Sequence, residues 1–192
     1  MMNKVAPVNG TKKQAIMKTA LGLFKKYSFH QVGVDTIIEE TPVAKNTFYK
    51  NYFSKDNLML SCLEEEITTY KETLKQAVEY ANKHEQSPHE YERMLKGFYT
   101  WHLQQIRTPK YTGSILLKSS IELSEINNTK VLIKEYQNWK HEYLASILEK
   151  CGIKADYKIR ILLNIFDAIL IPTTQSNLIP DWDDIVKYIL TK

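Results

Sequence analysis

A chain of 192 residues is long enough to bury one good core, or a small domain beside a larger one. With 43% hydrophobic and 25% charged residues, its composition excludes disorder along the whole length. The net charge of +4 is uneven: residues 1–57 hold nine lysines against four acids (Asp35, Glu39, Glu40, Asp56), net +5, while the remainder holds 17 bases against 18 acids, net −1, which points to a polyanionic partner for the N-terminal part.

No apolar run approaches the roughly 20 residues that cross a bilayer, and the start of the chain lacks the apolar centre of a signal peptide. A cytoplasmic protein without membrane contact is expected. Cys62 and Cys151 fall in different predicted helices, so reduced thiols are expected and no disulfide framework.

Residues 1–10 read as a flexible arm, with Lys4 within reach of phosphate. Thr11 and Gln14 form a capping box that opens a helix over 11–27, apolar at Ile16, Ala20, Leu23, Phe24 and Tyr27. Val34, Ile37 and Ile38 mark a second helix, which should end near Glu40 because Pro42 breaks the hydrogen-bond ladder and disfavours helix at Thr41. Phe48 and Tyr52 mark a third, so the pair reads as a helix-turn-helix.

At about 100° per residue, Phe48 and Tyr52 share a side with Ala44, and that side should be buried. Asn46, Tyr49 and Lys50 then face outward with Lys45 on the flank, giving two cations, an amide and a phenol with no carboxylate. Such a face suits DNA, whose base edges it can read. Ser54 can cap a helix starting at Lys55, whose free amides and ammonium would together bind phosphate. The candidate DNA contacts are therefore Gly33 and Val34 at the start of the second helix, Lys45, Asn46, Thr47, Tyr49 and Lys50 on the third, and Lys55. The three arginines, Arg93, Arg107 and Arg160, all lie outside this segment. Without the bidentate arginine that most often reads guanine, the operator should lean toward A·T pairs. The same lysine and asparagine excess also fits an A·T-rich coding sequence.

Thr47-Phe48-Tyr49, Tyr52, Ser54-Lys55-Asp56 and Leu58 resemble the T-[LF]-Y-x-x-F-x-[SN]-K-[ED]-x-L signature of the tetracycline-repressor-like (TetR) family of bacterial regulators. Ile16, Ala20, Leu23, Phe24 and Tyr27 resemble the apolar face of that family's first helix, so the likeness covers roughly the first 60 residues. Gly33 stands where the family usually has Thr or Ser, Ser28 where it usually has Gly, and Pro42 where Gly or another turn residue is usual. The resemblance implies a homodimer on a palindromic operator, a small-molecule effector bound among helices 4 to 8, and release of DNA when it binds.

Helix 4 should run over 55–82, with Leu63, Ile67, Tyr70, Leu74, Ala77 and Ala81 on one face. Ser87, Pro88 and Glu90 predict a fifth helix with Ser87 at its cap, carrying Leu95, Phe98, Tyr99, His102 and Ile106. A sixth is expected over 113–124, and a seventh over 129–151 with Leu132, Tyr136, Trp139, Tyr143 and Ile147, stopped by Gly152. The eighth begins at Asp156 and reads apolar nearly all round, so it should be covered on two sides, by its own core and by a second copy of the chain. A loop over 173–177 leads to a last helix from Pro180-Asp181. Dimer-interface candidates are Ile161, Ile165, Ile169 and Trp182. Effector-site candidates are the bulky polar-tipped residues of the buried stripes, Tyr70, Tyr99, His102, Trp139, Tyr143 and Phe166, which would suit an aromatic or cationic molecule.

Three patterns are set aside. His84 and His89 resemble a zinc-protease motif but are five apart, with Pro88 between them, so no metal site is expected. Glu64-Glu65-Glu66 reads as a solvated charge run, and His30 and His141 have no partner pattern. No nucleophile pairs with a base, so neither enzyme nor cofactor is expected. The expected fold is all-α: an arm (1–10), a helix-turn-helix DNA-binding domain (11–54) and a larger ligand-binding and dimerisation domain (55–192). The rival reading is an all-helical dimeric protein-interaction module that does not read DNA.

Overall fold

The computed structural model describes residues 11–109, 111–150, 152–172 and 179–190; the expected arm and the 173–177 loop lie outside these. Every regular element among the described residues is an α-helix: α1 (Lys12–Lys26), α2 (Val34–Glu40), α3 (Lys45–Tyr52), α4 (Lys55–His84), α5 (Glu90–Ile106), α6 (Ile115–Glu122), α7 (Asn127–Glu149), α8 (Asp156–Ile169) and α9 (Trp182–Leu190). None of them is long and apolar enough to cross a membrane.

The capping box starts α1: Thr11 Oγ1 accepts from the Gln14 N–H at 3.3 Å, and Gln14 Oε1 accepts from the Thr11 N–H at 2.9 Å. Ile16, Ala20 and Phe24, four apart, are fully buried, and Phe24 meets Phe29 with ring centroids 4.9 Å apart. Tyr27, expected on this face, is exposed because it caps the helix in extended backbone, off the helical stripe.

α4 is the spine. At 1.5 Å per residue its 30 residues span about 45 Å, packing on α1 and α3 at one end and on α5, α6 and α7 beyond. α5 lies against it closely enough that a Cβ on Gly97 would sit 2.8 Å from Ala77 O, Val78 Cα and Ala81 Cβ. α5 starts later than Ser87 suggests, with His89 at its N-cap, because Ser87 Oγ donates to the Glu92 carboxylate and accepts from the His89 N–H.

Gly152 ends α7 as expected. At φ +77° its N–H reaches Glu149 O and the Ile153 N–H reaches Leu148 O, satisfying the last free carbonyls. α8 buries Ile159, Leu162, Phe166 and Ile169, yet it is not apolar all round. Arg160 and Asn164 face solvent, while buried Lys158 donates to Ile189 O at 2.9 Å at the end of α9.

Candidate DNA-binding and effector sites

Thr41 closes α2 with its N–H on Ile37 O at 3.0 Å, Pro42 prevents continuation, and α3 restarts at Lys45. Gly33 and Ala44 stand at the two N-caps and neither offers a capping side chain. Ala44, grouped with Phe48 and Tyr52 by the helical wheel, is exposed because it precedes the helix. Phe48 and Tyr52 are buried, and the Tyr52 hydroxyl donates to Lys13 O at 2.9 Å, pinning α3 to α1.

Pinned this way, α3 turns Lys45, Asn46, Tyr49 and Lys50 to solvent, with Thr47 half-buried and its carbonyl accepting from Asn51 Nδ2. The face is not free of acids: Lys45 Nζ lies 2.8 Å from Asp35 Oδ1 across the turn, and that carboxylate holds the ammonium above its ordinary range. Gly33 and Val34 are half-buried at the head of α2, with Val34 packed on the core. Ser54 Oγ accepts from the Asn57 N–H at 3.1 Å, and burial pushes the Lys55 ammonium below its ordinary range. An anion at this helix end would stabilise that charge. Phe53 beside it is 76% exposed at φ +61°. Nothing in the sequence announces it, because that backbone conformation is signalled by Gly or Asn and not by Phe.

α6 holds the end of α1. Lys118 Nζ donates to the carbonyls of Phe24, Lys25 and Tyr27 at 2.9, 3.1 and 3.1 Å. Glu122 Oε2 accepts from the Phe29 N–H at 2.7 Å, and its own carbonyl lies 3.0 Å from His30 Nε2. His30 therefore has a partner after all, more than ninety residues away in the chain.

The start of α6 also walls a cavity of about 270 Å³, bounded by the end of α1, the middle of α4 and the end of α5. Of the six effector-site candidates only Tyr70 lines it. His102 is fully buried: its Nδ1–H donates to Phe98 O at 2.8 Å, so Nε2 accepts from the Tyr70 hydroxyl at 3.1 Å. Its ring stacks on Phe98 and Phe166, each 5.1 Å away, and burial lowers its pKa to about 3. Trp139 and Tyr143 stack on each other, with Lys71 and Lys75 over the Trp139 ring, while the Tyr99 hydroxyl donates to Pro180 O. Tyr99, His102 and Phe166 are thus buried among other side chains and Trp139 and Tyr143 are half-buried on each other, and none of the five borders this cavity. The cavity instead uses Trp101, Tyr111 and Glu66. Glu66, read as part of a solvated run, faces inward with Oε1 2.5 Å from Lys25 Nζ.

On α8, Ile161 is exposed, Ile165 half-buried and Ile169 buried. A spacing of four drifts by about 40° per step, which rotates this row from the outer face into the core. Ile169 is thereby committed to the chain's own interior, and Trp182 packs 5.9 Å from Tyr99. The outward face of α8 is Tyr157, Arg160, Ile161, Asn164 and Ala168, followed by Ile171. His84 and His89 are also separated: His84 stacks on Tyr80 and His89 on Tyr91. Among the described residues no three His, Cys, Asp or Glu converge as a metal site.

A short reader helix with a polar outer face, carried on a long helical body, defines a helix-turn-helix DNA-binding regulator. Residues 16–62 match the family described as bacterial regulatory proteins, tetR family, whereas no curated protein matches the chain. A TetR-family transcriptional regulator from Streptomyces coelicolor aligns over 94% of this chain and 85% of its own, at 18% identity and TM-score 0.74. Reduced NemR from E. coli aligns over 94% of this chain and 96% of its own, at 16% identity and TM-score 0.73. FadR from Bacillus halodurans, a fatty acid degradation regulator, aligns over 95% and 94%, at 19% identity and TM-score 0.64. The N-terminal domain therefore carries the helix-turn-helix of the TetR family of bacterial regulators, and the fold over nearly the whole length is the one these solved TetR-family regulators share.

Proposed function

We propose that the chain is a cytoplasmic, effector-released repressor: residues 11–54 read a palindromic operator, and residues 55–192 bind a small molecule and pair two copies. The observation that carries this reading is that α6 is shared, its first turn walling the cavity while Lys118 and Glu122 hold the end of α1 and the loop after it. A ligand that shifts α6 must therefore move the reader or break these bonds. A coupling of about 1–3 kcal/mol suffices to change operator affinity by one to two orders of magnitude. Pairing is supported by the outer face of α8, where Tyr157, Ile161 and Ile171 expose apolar surface, and by the need of helix-turn-helix readers for paired half-sites. Two copies on a promoter would block polymerase sterically.

Selection from random DNA followed by fluorescence anisotropy tests the reading. The expected result is a palindromic, A·T-leaning site bound by two copies. Lys50→Ala and Lys55→Ala should weaken all sequences alike, each reducing the salt slope by about 1, while Asn46→Ala alters the base preference. Enrichment of no sequence would overturn the assignment of a reader, and half-sites dominated by guanine would overturn the assignment of base contacts.

A further inference from the structure

The cavity combines three features. One is the Lys25–Glu66 ion pair, which joins α1 to α4 at 2.5 Å and lies in the cavity wall. Another is aromatic surface from Trp101, Tyr70 and Tyr111, with Trp101 edge-on to Tyr70 at 4.7 Å. The third is the direction of three of the lining hydroxyls. Thr73 donates to Thr69 O at 2.7 Å, Thr108 to Gln104 O at 3.3 Å and Tyr111 to Leu170 O at 2.9 Å. With their protons engaged by backbone, these oxygens present only lone pairs to the cavity.

These three acceptors and the Glu66 carboxylate complement a molecule that brings donors. The two partners of the ion pair also differ in how easily each is left alone. The Lys25 side chain is 42% exposed, sits on the last turn of α1, and can swing into water on a flexible stem. The Glu66 side chain is 22% exposed in the middle of α4, so losing its cation would leave a largely desolvated carboxylate unpaired. Replacing Lys25 is the easier exchange, and the replacement must itself be a cation. The volume, about 270 Å³, falls just under the roughly 300–1,000 Å³ of drug-sized pockets, so it fits one or two rings.

We propose that the cavity takes a small protonated aromatic amine, whose ammonium displaces Lys25 from Glu66 while its ring lies against Trp101 and Tyr111. Occupancy breaks the tie between α1 and α4 at the point where Lys118 also grips α1. The assignment rests on the reading of the C-terminal domain as an effector site, and it adds the ligand's chemistry and the bond it breaks.

Calorimetry on the full-length protein without DNA tests it, using tryptamine and 2-phenylethylamine against 2-phenylethanol and 3-phenylpropionate. The amines should bind at least about tenfold more tightly than the alcohol or the acid, and Glu66→Gln should remove that preference. Lys25→Met should tighten amine binding, since it deletes the competing cation; a variant that merely loosens the fold would weaken it. Preference for the acid, undiminished amine binding by Glu66→Gln, weaker binding by Lys25→Met, or no binding of either amine would each overturn the proposal. The effector reading fails separately: if the amines bind with the expected preference but leave affinity for the selected DNA unchanged, the ligand assignment stands and the release mechanism falls.

Discussion

Replacing Lys118 with methionine keeps the aliphatic stem of the side chain and removes the ammonium that binds the last carbonyls of α1. In the intact protein Nζ donates to Phe24 O, Lys25 O and Tyr27 O at 2.9, 3.1 and 3.1 Å. A hydrogen bond from a charged group contributes about 1.5–3 kcal/mol. Three bonds sharing one half-buried cation do not add, and solvent screens part of the effect, so about 2 kcal/mol is a fair figure for the set. That loss should raise local opening of the end of α1 about 30-fold. Amide hydrogen exchange reads it directly at Tyr27, whose N–H bonds Leu23 O at 2.8 Å, and at Phe29, whose N–H bonds Glu122. Lys134→Met, at an exposed position of α7, serves as the control. Unchanged exchange at Tyr27 and Phe29 in Lys118→Met, or an equal rise in the control, would refute the clamp. The variant should also show a smaller effector-induced loss of DNA binding, because one of the links between cavity and reader has been cut.

Asp35→Asn frees Lys45 from its 2.8 Å partner, so DNA affinity should rise at low salt and the gain should shrink as salt increases, as followed by anisotropy at two ionic strengths. Gly97→Ala places a methyl 2.8 Å from Ala77 O and Ala81 Cβ, which should cost about 1–3 kcal/mol in thermal unfolding. Gly22→Ala, with nothing within 4 Å of the new Cβ, should instead be neutral or stabilising by up to about 1 kcal/mol, through helix propensity. His102, with a pKa lowered to about 3, stays neutral in the fold, while the unfolded chain takes up its proton below about pH 6.5. Stability should therefore be unaffected by this residue above about pH 6.5 and fall steadily from there as the pH drops toward 3. His102→Gln should be less stable at pH 7 but flatter over that range, and an unchanged acid slope in denaturant titrations would count against the burial argument.

The amino-acid sequence by itself determined the all-α class, the helix-turn-helix and most helix ends, because these depend on neighbours within one or two turns. Thr11 with Gln14, Pro42, Ser54 and Gly152 each act on backbone at most five residues away, so their effects were legible without a fold. The outer face of α3 was legible for the same reason, since one helix period places Asn46, Tyr49 and Lys50 opposite Phe48 and Tyr52. Where the local reading failed, the deciding partner was distant. Asp35 reaches Lys45 only because α2 and α3 fold back on each other, and Glu66 turns inward only because α1 delivers Lys25 to it. The aromatic stripes of α4, α5 and α8 announced burial correctly, while Trp139 and Tyr143 on α7 are only half-buried, and burial alone does not separate a packed ring from one that borders a void. That depends on how closely the helices approach: Phe98, His102 and Phe166 stack where they converge, whereas beside Glu66 and Trp101 the end of α5 and the start of α6 border a cavity. The grip of Lys118 and Glu122 on α1 likewise exists only in the tertiary structure, since carbonyls left free at the end of one helix find their donor on whichever element packs beside it.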